Sequence, residues 1–246
     1  MTVDTRISKV HLVHRLFWQA MDWIYPPRCA ACSTPGVRLC SACTTSIKVI
    51  DQQRVCPMCG IPQTTTELCQ ECATVFPAFT ALRSWGLYEG ALREAIHKLK
   101  YRNDLGVSEE LARPLSALLT GSGWHVDLIS PVPLSRKRLK TRGYNQAAMI
   151  ARWVSFTNRI PFYPGVMVRS KDTISQVGLS GEERRLNVLE AFEANPAIAT
   201  GKSILVIDDV ATTGATMQAC ALALLKSGAS HVYGLTLARA GHIHIS

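Results

Sequence analysis

The chain has 246 residues, of which 47% are hydrophobic and 18% are charged, so it has room for one full-sized globular domain and a small one. No apolar run is long enough to span a bilayer, and the charged start of the chain is unlike a secretory signal. We therefore expect a cytoplasmic protein without a membrane span. The net charge of +9 lies mostly after residue 75, which favours a partner that carries phosphate groups.

Residues 1–75 are predicted to form an N-terminal module. Apolar residues recur at helical spacing through residues 10–24, which predicts an amphipathic helix that Pro26 and Pro27 end. This helix is expected to pack on its own protein, and a membrane surface is the alternative. The segment that follows holds eight of the nine cysteines and little other apolar material, so we expect metal ions to hold it together.

The eight cysteines form four Cys-x-x-Cys pairs. Two such pairs can complete the tetrahedron around a zinc ion, and in a reducing compartment metal is favoured over disulfides. The simplest assignment is one site from Cys29, Cys32, Cys40 and Cys43 and another from Cys56, Cys59, Cys69 and Cys72. A crossed pairing is the alternative. Four thiolates leave no open coordination position, so both zinc ions are expected to be structural.

Residues 76–246 alternate strands with helices, which is typical of an open, mainly parallel α/β sheet. Strands are predicted at 80–88, 126–132, 204–207 and 232–237, with a weaker one at 162–168 that contains Pro164. Helices are predicted at 90–101, 109–119, 146–156 and 215–226. In such a sheet, ligands bind at the carboxyl ends of the strands.

The most informative stretch is residues 204–216, where an apolar strand leads to Asp208 and Asp209, then to a loop of small residues and a helix. Carboxylates accept hydrogen bonds from vicinal hydroxyls and tolerate a nearby Mg²⁺ ion. The loop offers backbone N–H groups and threonine hydroxyls at a helix N-terminus, which suits a phosphate. This combination predicts a sugar-phosphate site. An ordinary strand end followed by a turn is the alternative.

A basic cluster lies between the predicted strand 126–132 and the predicted helix 146–156. It consists of Arg136, Lys137, Arg138, Lys140 and Arg142. Such a cluster suits phosphate groups, either free or in nucleic acid, and a solvated loop is the alternative. The isolated Cys220 is expected to be a small core residue, and His242 and His244 are expected to belong to a frayed terminus.

Residues 204–216 closely resemble the phosphoribosyl pyrophosphate (PRPP) signature of type I phosphoribosyltransferases. The resemblance implies that Asp208 and Asp209 hold the ribose hydroxyls, as the catalytic candidates, with Mg²⁺ accompanying PRPP. The implied PRPP-binding loop is Ala211, Thr212, Thr213, Gly214, Ala215 and Thr216. The implied pyrophosphate loop, after an earlier strand, includes Pro133, Leu134, Ser135 and Arg136.

The wider chain is similar to the ComF/GntX family. The similarity rests on the four cysteine pairs and on residues 88–90, 98–101, 131–134, 142–146, 175–180 and 191–192, with Arg184 and Asn187. It implies a double zinc ribbon joined to a PRPP-binding fold, with roles in DNA uptake and natural transformation and, for some members, in gluconate use. Residues 176–184 are interpreted either as a mobile loop that closes over PRPP or as a helix start.

Three functions are compatible with these patterns. The favoured one is a PRPP-binding protein that acts with single-stranded DNA and other DNA-uptake proteins, with the basic cluster as the candidate nucleic-acid contact. The second is a Mg²⁺-dependent phosphoribosyltransferase of nucleotide or other metabolism without a DNA role. The third is an adaptor stabilised by zinc. The sequence names no acceptor for a phosphoribosyl group, so turnover stays open.

Overall fold

The structure is a computed structural model that describes residues 26–101, 106–170 and 191–240. Its main sheet is parallel, with the strand order β1-β6-β5-β2. These strands are β1 (Ala81–Leu87), β2 (Leu128–Pro131), β5 (Ser203–Ala211) and β6 (His231–Arg239). The predicted α/β class and the four main predicted strands are therefore confirmed.

Helices cover both faces of this sheet. They are α3 (Gly90–Tyr101), α4 (Val107–Ser122), α5 (Arg136–Arg142), α6 (Gln146–Asn158), α7 (Pro196–Ala199) and α8 (Ala215–Lys226). The cysteine region adds the short helices α1 (Ser41–Thr45) and α2 (Gln70–Thr74). The four predicted helices are confirmed, and α3 has the predicted bounds.

The prediction of one parallel strand over 162–168 is wrong. Phe162 makes a single parallel bridge to Ile129, and the chain then turns, with the Val166 amide donating to the Tyr163 carbonyl at 3.3 Å. Pro164 lies in this turn and has no N–H group with which to extend the ladder. Pairing resumes in the separate strand β3 (Met167–Arg169), which runs antiparallel to β4 (Phe192–Ala194).

The core has two layers because β5 is apolar on both faces. Leu205 and Ile207 pack among residues of α3, α4 and α6, whereas Ile204 and Val206 pack among residues of α8. Each of these four side chains is fully buried. This two-sided burial explains why the strand has a continuous apolar run rather than an alternating pattern.

The cysteine region packs directly on the edge strand β1. The Ile50 amide donates to the Trp85 carbonyl at 2.8 Å, and the Leu87 amide donates to the Lys48 carbonyl at 2.9 Å. Cys56, Cys59 and Cys72 lie in the same apolar cluster as buried residues of α8. The cysteine region thus covers an edge that would otherwise expose unpaired backbone groups.

Candidate functional site

Two compact groups of cysteines fit two zinc ions. Within each group the four sulfurs lie within 4.8 Å of one another, and the groups are Cys29, Cys32, Cys40, Cys43 and Cys56, Cys59, Cys69, Cys72. The Cys32–Cys40 and Cys59–Cys69 sulfur distances are 3.7 and 3.6 Å. A zinc ion with bonds of about 2.3 Å has tetrahedral sulfur–sulfur edges of about 3.8 Å. The cysteines are therefore grouped as in the simplest predicted assignment, and the crossed pairing is not observed.

The backbone of each cysteine turn favours thiolates. The Cys40 amide points at the Cys29 sulfur and the Cys69 amide at the Cys56 sulfur, each at 3.4 Å. Burial disfavours the Cys56 thiolate, but backbone amides that include those of Cys69 and Cys59 outweigh it and lower the pKa of Cys56 to about 7. Since zinc binds the thiolate form, these amides preorganise two structural zinc sites, each with four cysteine ligands.

The predicted sugar-phosphate segment forms a cleft at the carboxyl end of β5. The strand ends at Ala211, α8 begins at Ala215, and Gly214 caps this helix with φ +82°, a conformation that favours glycine. The cleft is open to solvent and has a volume of about 270 Å³, counted with the solvent space at its mouth. It is lined by Asp208, Val210, Ala211, Thr212, Gly214, Ala215, Thr216, Met217 and Thr236. Sequence reasoning missed three lining residues, namely Val210 of β5, Met217 of α8 and Thr236 of β6.

The two adjacent aspartates point in different directions, because successive side chains of a strand alternate between its faces. Asp208 lines the cleft. Burial, together with the charge of Asp209, raises the pKa of Asp208 to about 7, although the amide of Asp209, Lys100 and Arg138 act in the opposite direction. Asp208 therefore changes its charge near neutral pH.

Asp209 is buried in a polar network on the other side of the strand. One carboxylate oxygen pairs with the Lys100 ammonium at 2.8 Å, and the other accepts from the Gln146 amide at 2.6 Å. The Arg142 guanidinium donates to Gln146 at 2.9 Å and lies over the Tyr101 ring at 5.0 Å. This network joins the ends of α3 and α5 to the start of α6 behind the cleft.

The loop proposed for pyrophosphate lies at the adjacent strand end. The amide of Val132 donates to the carbonyl of Ile207 at 2.9 Å, so residues 133–135 leave the sheet beside Asp208. The Asn145 side chain donates to the Val132 carbonyl at 2.9 Å and caps the start of α6. Residues 132–136 and Asp208 thus meet at the carboxyl edge of the sheet, where the parallel topology places ligands.

The basic cluster is a helix rather than a solvated loop. Helix α5 begins after Ser135, whose side chain accepts from the Arg138 amide, and it ends before Gly143. Arg136, Lys137, Arg138 and Lys140 are exposed, whereas Arg142 is half-buried in the network behind the cleft. Four of the five cluster residues are therefore available to an external partner, and Arg142 has a structural contact.

Several predictions fall on residues that the structure does not describe. These are the helix at 10–24, the loop at 176–184 with Arg184 and Asn187, and the terminal His242 and His244. Cys220 is completely buried, which confirms it as a core residue. Over the described residues, no helix has the length and apolar character needed to cross a membrane.

Comparison with known proteins gives matches over most of the chain. The double zinc ribbon domain family matches residues 20–73. Competence protein F of Haemophilus influenzae is 32% identical over 214 residues, covering 82% of this chain and 90% of that protein. Competence protein ComFC of Bacillus subtilis is 30% identical, covering 83% and 85%. The DNA utilization protein YhgH of Escherichia coli K12 is 30% identical, covering 82% and 90%.

Matches among solved structures are more distant. A glutamine PRPP amidotransferase of B. subtilis aligns at 18% identity with a TM-score of 0.39, covering 54% of this chain and 26% of that one. A hypoxanthine phosphoribosyltransferase of Staphylococcus aureus aligns at 15% identity with a TM-score of 0.32, covering 58% and 70%.

The fold and the sites define a protein with two zinc ribbons packed on a parallel α/β sheet that carries a polar cleft. The chain belongs to the ComF/GntX family, since the competence proteins and YhgH match it at 30% identity or more over four fifths of its length.

Proposed function

We propose that the cleft at the end of β5 binds PRPP with Mg²⁺. The observation that carries this proposal is the convergence of Asp208, the Ala211–Thr216 loop and the start of α8 on one cleft, next to the loop at 133–136. In this arrangement the small-residue loop and the helix N-terminus bind the 5-phosphate. Asp208 binds the ribose hydroxyls or Mg²⁺, and the loop at 133–136 faces the diphosphate.

The role of Asp209 in this proposal is to hold the site in shape. Both of its carboxylate oxygens have partners, namely Lys100 and Gln146, so it fixes α3 and α6 against β5. The boundary proposed for the PRPP-binding part, residues 76–246, and the zinc-ribbon part, residues 1–75, lies just after the last cysteine pair.

Ligand-dependent stability tests the PRPP site. Zinc-loaded protein is heated with Mg²⁺ alone and with Mg²⁺ plus PRPP, ribose 5-phosphate or pyrophosphate. PRPP should raise the melting temperature most, because it fills both the phosphate loop and the diphosphate loop, and the rise should grow with concentration. Melting temperatures that are equal for all ligands and independent of ligand concentration would contradict the proposal.

The biological role proposed for this site is the handling of single-stranded DNA during DNA uptake. The names of the relatives, competence proteins and a DNA utilization protein, support this role. On the structure, helix α5 supports it, because Arg136, Lys137, Arg138 and Lys140 are exposed on one short element. Zinc sites made of four thiolates suit a reducing compartment, so the role is proposed for the cytoplasm, together with other DNA-uptake proteins.

Salt dependence tests the DNA contact. The logarithm of affinity for a single strand falls with the logarithm of salt concentration by about 0.7 for each phosphate neutralised. Changing Arg136, Lys137 and Lys140 to glutamine should therefore make the slope shallower by about two units. This triple variant spares Arg138, whose charge acts on Asp208.

A control with the same net charge changes Arg93, Arg152 and Lys226, which lie on other helices. The control should keep the wild-type slope. Equal slopes for wild type and both variants would remove α5 from the DNA contact. Competition with PRPP then shows whether the two ligands share a binding surface. PRPP should displace the strand if they share it, and should leave the strand bound if the DNA binds elsewhere.

A second candidate function is a Mg²⁺-dependent phosphoribosyltransferase, and the intact Asp208–Thr216 segment favours it. Pyrophosphate release from PRPP in the presence of a panel of bases and amines tests it. Acceptor-dependent release that Asp208→Asn abolishes would establish turnover. Binding of PRPP without release under any acceptor would leave a binding protein.

A further inference from the structure

The second zinc ribbon, which has the ligands Cys56, Cys59, Cys69 and Cys72, packs on β1 behind the proposed phosphate loop, residues 212–216. Its first turn, residues 56–60, contacts β1 through two hydrogen bonds: the Leu82 amide donates to the Met58 carbonyl at 2.7 Å, and Arg83 donates to the Pro57 carbonyl at 3.0 Å. Gly60 sits against the same strand with φ +70°, and a Cβ on Gly60 would lie 2.2 Å from the Leu82 carbonyl oxygen. The zinc turn and β1 are therefore in backbone contact.

The side chain of Leu82 continues this contact to the phosphate loop. Leu82 is completely buried in one apolar cluster with Ala211 and Met217, which flank the loop at 212–216. A Cβ added to Gly214 would lie 3.8 Å from the terminal methyl group of Leu82 and 4.0 Å from the Phe79 ring. The Ala78 amide, which follows the last cysteine pair in the chain, donates to the Gln218 side chain in α8 at 2.7 Å. Two connections thus run from the second ribbon to the loop at 212–216 and to the helix that follows it.

The first zinc ribbon contacts a different element. The Lys98 ammonium of α3 donates to the Cys29 carbonyl at 2.9 Å and to the Ser33 hydroxyl at 3.0 Å. Ala30 packs in the apolar cluster on the opposite face of the sheet from α8. The two ribbons are therefore unequal in their relation to the cleft, although their ligand sets are alike.

We propose that the second zinc ribbon positions the phosphate-binding loop, so that affinity for a phosphate ester at residues 212–216 depends on the packing of residues 56–60 against Leu82. The proposal rests on the proposed PRPP site. Metal binding and folding are coupled in small cysteine modules, so a second site without zinc cannot hold the Met58 carbonyl in place. Loss of that contact frees Leu82, and the loop loses the packing that orders its backbone donors.

Two glycine variants separate this effect from general damage to the ribbons. Gly60→Ala places a methyl group against the Leu82 carbonyl. Gly36 in the first ribbon also has a positive φ, +91°, but in Gly36→Ala no atom lies within 4 Å of the added carbon. Both variants keep all eight zinc ligands. Leu82→Val is a third variant, which leaves the zinc turn intact and shortens the side chain that packs between this turn and the residues flanking the loop at 212–216.

Three measurements are made on full-length, zinc-loaded protein: zinc content, hydrogen exchange of the amides at 212–218, and calorimetric affinity for PRPP with Mg²⁺. Gly60→Ala and Leu82→Val should exchange faster at 212–218 and bind PRPP roughly tenfold more weakly, as for the loss of one hydrogen bond to a charged group. Gly36→Ala should match wild type in both. The α6 amides at 147–158 should exchange at the wild-type rate in all variants.

Each outcome decides the inference. Unchanged exchange and affinity in Leu82→Val would overturn it, as would equal losses in Gly36→Ala and Gly60→Ala. If Gly60→Ala loses zinc, its faster exchange at 212–218 must still exceed that of Gly36→Ala, and an unchanged Leu82→Val still overturns the inference. If wild type binds no PRPP, the proposed function fails, and hydrogen exchange at 212–218 still shows whether the second ribbon orders the loop.

Discussion

The buried ion pair between Lys100 and Asp209 allows a quantitative test of the network behind the cleft. The charged atoms are 2.8 Å apart, and the side chains are 17% and 6% exposed. At an effective dielectric constant of about 20 their attraction is about 6 kcal/mol, most of which desolvation offsets. Lys100→Met should destabilise the fold by about 3–5 kcal/mol, because it leaves a buried carboxylate without its cation.

Removing the charge of Asp209 should destabilise the fold less than removing the charge of Lys100. Asp209→Asn keeps an oxygen that can accept from Gln146, and the Lys100 ammonium is exposed enough to reach water, so we expect about 2 kcal/mol. A double-mutant cycle from urea unfolding in zinc-saturated buffer should give a coupling energy of about 2 kcal/mol.

The pair Lys48–Glu89 is a matched control for this cycle. Its charged atoms are 2.7 Å apart, but its side chains are 69% and 49% exposed. Solvent screening should reduce its coupling to at most about 0.5 kcal/mol. A coupling for Lys100 and Asp209 no larger than that of the control would refute the argument that burial makes this pair important.

Two further predictions concern the metal and the pH dependence. Metal analysis of protein purified under reducing conditions should give two zinc ions per chain, and a ratio of one would remove one of the two zinc sites. A strong chelator should unfold the cysteine region at 26–75, which far-ultraviolet circular dichroism would report. Because the folded state raises the pKa of Asp208 from 3.8 to about 7, it holds a proton that the unfolded chain releases, and stability should fall as the pH rises through this window. Asp208→Asn should flatten that dependence in urea unfolding, and an unchanged slope would contradict the raised pKa.

Local sequence signals were sufficient to predict much of this fold. The bounds of α3 follow from its apolar spacing, and the apolar run in β5 matches a strand buried on both faces. The helix α5 was missed because a run of charges has no apolar period. Its caps were nevertheless visible, since Ser135 precedes the run and Gly143 follows it.

The candidate site was only partly predictable. The spacing of the cysteines gives both zinc sites, because each site is built from neighbouring pairs. The pairing of Asp209 with Lys100 could not be predicted from sequence spacing. Lys100 lies far earlier in the chain, and the residues around it give no sign of which side chain its ammonium contacts. The alternation of strand side chains could have separated Asp208 from Asp209, which sequence reasoning had given the same role.

Calorimetric titration with PRPP and Mg²⁺ near pH 8 tests the central claim most directly, because Asp208 is ionised there. It compares wild type with Asp208→Asn in the cleft and with Asp127→Asn, whose carboxylate accepts from the Ser203 amide at the opposite end of β5. Wild type and Asp127→Asn should bind PRPP equally, and Asp208→Asn should bind it about ten- to a hundredfold more weakly. Absence of binding to wild type, or equal affinity in all three proteins, would contradict the assignment of the cleft as a PRPP site.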